Sequence, residues 1–100
     1  MVLNPTNILT RQQLESISPE SVANYLEATG WEKQKEEDNF GSLWVYSNET
    51  AGEVSTFLPL NRDYIDYTIE MNDVFATLEY VTNTPREDIF AIVKNSYELF

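Results

Sequence analysis

Four carboxylates open the case for chemistry. Asp63, Asp66, Glu70 and Asp73 are separated by three, four and three positions. On a helix that spacing stacks them along one side, close enough to repel one another. A divalent cation or a basic partner would relieve such repulsion, and an all-oxygen site would suit calcium or magnesium. The plainest account is a solvated face opposite an apolar stripe, and docking of a basic partner comes next. No EF-hand loop spacing accompanies the four acids, so a cation site has no motif behind it.

Paired carboxylates can also perform acid/base work, as in glycoside hydrolysis. The chain holds seventeen Asp and Glu, many in runs such as Glu36-Glu37-Asp38. A catalytic pair needs one carboxyl with its pKa raised by burial, and no residue is marked for that by its neighbours in sequence. The chain contains no cysteine and no histidine. Ser-His-Asp and Cys-His catalysis, thiolate metal sites and histidine-based metal sites are therefore excluded. The expectation is a protein that is not an enzyme and carries no cofactor.

Aromatic residues form a second constellation. Trp31, Trp44, Tyr46 and Phe57 fall in segments with strand character. An exposed aromatic sheet face can stack single-stranded bases, but only beside a basic groove. Lys33 and Lys35 are the only cations nearby. Packing beneath helices is the expected role, with a protein-binding surface as the variant. The candidate docking residues are thus Asp63, Asp66, Glu70 and Asp73 on the acidic side, and Trp44 and Tyr46 on the aromatic side.

Charge selects among partners. Six Lys and Arg stand against the seventeen acids, a net charge of −11 and a pI near 4.1. Such a surface repels nucleic acid and anionic lipid and attracts basic proteins, and it also keeps a small protein soluble. Apolar residues make up 42% of 100 residues, enough for one real core. No run approaches the roughly 20 apolar residues of a membrane span. The first ten residues lack a basic start followed by an apolar run, so no signal peptide is expected and cytoplasm is the default compartment.

The elements that must position these groups follow from local signals. Residues 1–9, with Pro5, read as a loosely held tail of a single domain spanning 1–100. Thr10 and Gln13 have capping-box spacing, and Leu14 and Ile17 could dock one short helical turn. Ser18 followed by Pro19 starts a helix running to about Thr29, with Val22, Tyr25 and Leu26 on one face and Gly30 as the stop. Trp31 to Glu36, Ser42 to Ser47 and Val54 to Leu58 predict three strands joined by tight turns. Leu43 and Val45 share one face of the middle strand, Trp44 and Tyr46 the other. Pro59 closes the sheet. Asn61 is the natural cap of a helix running from Arg62 to Pro85, with Tyr67, Met71, Val74, Phe75, Leu78 and Val81 as its stripe. Thr84-Pro85-Arg86-Glu87 predicts a capping box opening a last helix that buries Ile89, Ile92, Val93 and Tyr97. Arg62 could reach Asp66, four residues on.

Leu58-Pro59-Leu60-Asn61-Arg62-Asp63-Tyr64-Ile65-Asp66-Tyr67 resembles a pattern in uncharacterised small bacterial proteins, where a strand ends in a Pro-Leu-Asp/Asn-Arg segment before an Asp-Tyr helix. The similarity extends upstream through Tyr25-Leu26-Glu27-Ala28-Thr29-Gly30-Trp31, covering Ser21 to Ile92. It implies a shared fold and a bacterial origin and brings no activity with it. The order helix, Gly-Trp, three strands, proline-terminated strand, helix is also similar in topology to HicA-type toxins, messenger-RNA interferases with a double-stranded-RNA-binding-like fold. Their catalytic histidine has no counterpart at Gly41-Ser42-Leu43-Trp44, so the resemblance implies a binding role without nuclease activity.

The expected fold is α+β: an N-terminal helix, a three-stranded antiparallel meander and two C-terminal helices packed on one sheet face. The expected function is a small acidic interaction or accessory domain that binds a protein partner with a basic patch, with no nucleic acid and no membrane. A homodimer is compatible with two free sheet edges. A nucleic-acid-mimicking inhibitor, and a carboxylate-dependent enzyme or divalent-metal site, are the alternatives.

Overall fold

Local capping decides where the chain first becomes helical. Thr10 Oγ1 accepts from the Gln13 N–H at 3.0 Å while Gln13 Oε1 accepts from the Thr10 N–H at 2.8 Å. This reciprocal pair opens α1, Arg11–Ser16. Ser18 then accepts from the Ser21 N–H at 3.1 Å and Pro19 occupies the first turn of α2, Pro19–Ala28. Gly30, at φ +101°, turns the chain out of that helix. The computed structural model describes residues 9–38, 40–50 and 52–98, with side chains as far as 95.

Three strands follow: β1 Glu32–Glu37, β2 Gly41–Asn48 and β3 Gly52–Pro59. They form one antiparallel sheet in the order β1-β2-β3. The β2–β3 register runs unbroken from Gly41 opposite Pro59 to Asn48 opposite Gly52. Beyond it, the Leu60 N–H donates to the Phe40 carbonyl at 3.0 Å, which fixes the phase of the ladder. Antiparallel pairs alternate between those that exchange hydrogen bonds and those that do not. Leu58, Thr56 and Val54 therefore bond to β2, while Phe57 and Ser55 direct their N–H and C=O groups away from it. Pro59, which has no N–H, falls on the outward phase, as it must.

The sheet has one packed side. Ser42, Trp44, Thr56 and Leu58 are buried and share a face. Leu43, Val45 and Phe57, on the opposite face, stay half-exposed and do not join the core. Two C-terminal helices complete the α+β fold, α3 Tyr67–Thr82 and α4 Arg86–Glu98. α3 lies against β3, and α4 packs on α3 and α2. Tyr67, Met71, Val74, Phe75 and Leu78 of α3 meet Val22 and Leu26 of α2 and Ile89 and Val93 of α4 in the core. Each fully buried Leu or Phe there contributes about 2 kcal/mol.

Several boundaries differ from expectation. Leu9, assigned to the tail, is 4% exposed and belongs to the core; residues 1–8 lie outside the described residues. α3 begins at Tyr67 and not at Arg62. Asn61 Oδ1 accepts from the Asp63 N–H at 2.9 Å, and the Tyr64 and Tyr67 N–H groups bond to carbonyls three residues back. That Asx turn competes with a helical start, so residues 62–66 form successive turns. Asn83, in the left-handed region at φ 56°, ends α3 before Pro85 is reached. The Thr84 hydroxyl donates to the Thr82 carbonyl instead of capping α4, and Pro85 supplies the first accepting carbonyl. In α4 Phe90 is buried in place of Ile92, which is 48% exposed, and the Tyr97 side chain lies outside the described residues. Arg86 ties α4 to α3 through Glu79 at 2.9 Å and Asn72 at 3.4 Å.

Candidate functional site

The late start of α3 divides the four acids. Asp63 lies in the turn segment before the helix, Asp66 occupies its N-cap without a side-chain capping bond, and Glu70 and Asp73 stand on the helix itself. Asp66 and Glu70 are well placed against the positive helix end. Glu70 is the residue with an unusual environment. Its Oε1 is closed off from solvent and has no hydrogen-bond partner among the described residues. Burial, then the negative charges of Asp66 and Asp73, push its pKa above the ordinary carboxylate value.

Glu70 and Asp73 border a groove of about 330 Å³ between α3 and β3, lined also by Ser55, Thr56, Phe57 and Thr77. The groove runs along the outer edge of the sheet, because β3 has a neighbour on one side only. Ser55 and Phe57 are the residues whose main-chain groups face outward there. Thr77 places its hydroxyl on the Asp73 carbonyl at 2.9 Å. Its spacing of four from Asp73 and seven from Glu70 is legible as one helix face. Ser55 and Phe57 carry no comparable signal, because only the sheet order and ladder phase make them edge groups.

The aromatic candidates sit elsewhere. Trp44 is 5% exposed, and its Nε1–H donates to Ser42 Oγ at 2.8 Å. Its ring forms part of a separate hollow of about 570 Å³ between α2 and β1, with Ala23, Asn24, Glu27, Trp31, Glu32 and Lys33. Tyr46 is half-buried and stacks on Trp31, with ring centroids 5.3 Å apart. Both rings lie by Trp31 next to α2 and β1, whereas Glu70 and Asp73 border the outer edge of β3, so the rings do not form one surface with those acids. The half-exposed apolar residues of the open sheet face are Leu43, Val45 and Phe57.

Arg62 does not pair with Asp66. It acts on Tyr67, whose hydroxyl is buried. Burial raises the Tyr67 pKa, and the attraction of Arg62 partly offsets it. Among the described residues no group of three or more acids is arranged to hold a metal ion. Among the described residues the four ion pairs, Arg11–Glu15, Lys33–Glu36, Lys35–Glu37 and Arg86–Glu79, leave Asp66, Glu70 and Asp73 without a cationic partner. No helix among the described residues is long and apolar enough to cross a membrane.

No family model matches the chain, and neither a curated protein nor a solved structure matches it.

Proposed function

We propose that the chain is a small acidic interaction domain that binds a protein partner through a basic patch. One observation carries the reading. Asp66, Glu70 and Asp73 gather at the start of α3 with no cation among them, and the pKa of Glu70 is lifted first by burial and then by the negative charges of Asp66 and Asp73. A lysine or arginine arriving from a partner offsets those charges, so complex formation is favoured at this place above other acidic places. Acids elsewhere are partly compensated. Lys33 and Lys35 already neutralise Glu36 and Glu37 on β1.

The test separates a docking point from general acidity. Polylysine binding is measured by calorimetry for the D66N/E70Q/D73N variant and for E20Q/E27Q/E49Q, which removes three exposed acids elsewhere. The α3 variant is expected to weaken binding by about tenfold and the control by much less. Equal loss in both variants, or no binding to the parent protein, removes the reading.

A carboxylate-dependent reaction is the second reading, favoured by the raised pKa of Glu70 beside Asp73 in a groove. It requires a proton exchanged near neutrality. A proton lost in the ordinary carboxylate range leaves the binding reading alone.

A further inference from the structure

The sheet has two outer edges of different character. β1 reads Glu-Lys-Gln-Lys-Glu-Glu, every side chain exposed, and its register shifts between Lys33 and Lys35. Lysines and an irregular register both oppose the addition of another strand. β3 has neither lysine nor arginine, keeps an unbroken register, and carries the strand-favouring Val54, Thr56 and Phe57. Between Glu53 and Pro59, the ladder phase leaves the N–H and C=O groups of Ser55 and Phe57 pointing outward. The groove holding Glu70 and Asp73 borders those same residues.

We infer that the free edge of β3 is a strand-addition site for an extended segment in which basic and apolar residues alternate. The inference rests on the protein-binding reading above and names the form of the bound segment. Its main chain pairs with Ser55 and Phe57, two donors meeting two acceptors in each direction. Side chains of an added strand point alternately to the two faces of the sheet. Those on the open face lie beside Phe57 and contact apolar surface. Those on the helix side lie beside Glu70 and Asp73, where a lysine or arginine meets the uncompensated charge. An incoming helix would leave the edge groups of β3 unanswered. A second copy pairing edge to edge about a two-fold axis would set Glu70 and Asp73 of both molecules along one seam, where like charges oppose it.

The probe is a synthetic octapeptide of alternating lysine and valine, with blocked ends. Its partner control carries the same side chains with alternate main-chain nitrogens methylated, so charge is kept and hydrogen-bond donors are lost. The full chain is titrated with each while amide exchange is followed by NMR. The expected result is slowed exchange at Ser55 and Phe57 with the first peptide, binding weaker by about tenfold with the methylated one, and a similar loss for E70Q/D73N. Equal binding of both peptides, or binding without slowed exchange at Ser55 and Phe57, overturns strand addition while leaving an acidic docking surface intact. Failure of both the peptide and polylysine to bind overturns both proposals. Slowed exchange at these two amides that grows with protein concentration alone assigns the edge to a second copy and overturns the basic segment as its occupant.

Discussion

Glu70 concentrates the electrostatic tension of the molecule in one side chain. Its folded pKa is raised, first by burial and then by Asp66 and Asp73. A raised carboxyl pKa means that the folded state binds the proton more tightly than the unfolded chain. The stabilising contribution of the protonated form is therefore fully present below the unfolded value and is lost as pH rises through the folded one. At neutral pH the ionised group opposes folding. E70Q should accordingly raise the melting temperature at neutral pH, by about 2 °C for a side chain still partly in water. The advantage should vanish once the pH falls below the carboxylate range, and an NMR titration should place the midpoint of Glu70 in the folded protein above its midpoint in the urea-unfolded chain. A folded midpoint at or below the unfolded one contradicts this account. The spacing of the acids was readable in the sequence, although Asp63 falls before the helix. Their inequality was not, because the burial of one Glu70 oxygen depends on the folded packing around α3.

At the scale of elements, legibility follows the range of the deciding interaction. Thr10 with Gln13 and Ser18 with Pro19 settle helix starts within four residues, and both starts stand where the spacing puts them. The α3 stripe is equally local, and five of its six residues are buried. The start of α3 was misplaced because Asn61 bonds to the Asp63 N–H, and a composition reading does not rank a turn against a cap. The inward turn of Phe90 in place of Ile92 depends on a neighbouring helix: its ring meets Phe75 at 5.9 Å. Gly41 at the start of β2 shows the same dependence on distant contact. A Cβ there would run into the Leu58 carbonyl oxygen and the Phe57 ring, one of them backbone and neither easily moved. Gly41→Ala should destabilise the protein by about 2 kcal/mol, read as a shift of the urea midpoint with unchanged slope. A change below about 0.5 kcal/mol would show that the strand end yields without strain.

For the whole molecule, the surplus of eleven negative charges sets the response to salt. Self-repulsion disfavours the compact state, and added ions screen it over roughly 8 Å at physiological strength. Melting temperature should therefore climb by a few degrees between about 0.02 and 0.5 M sodium chloride, while affinity for basic peptides falls over the same range. A flat or falling melting curve would mean that compensating pairs such as Arg86–Glu79 already cancel the repulsion. The meander and its helices were legible because their signals are short-range and redundant, whereas the groove exists only once β3 and α3 are brought together. The register shift in β1 has a consequence for assembly. Sheet-to-sheet growth of one chain through its own copies needs both flanks of every copy, so a flank along β1 that refuses a strand keeps copies of this chain from joining edge to edge into a fibre.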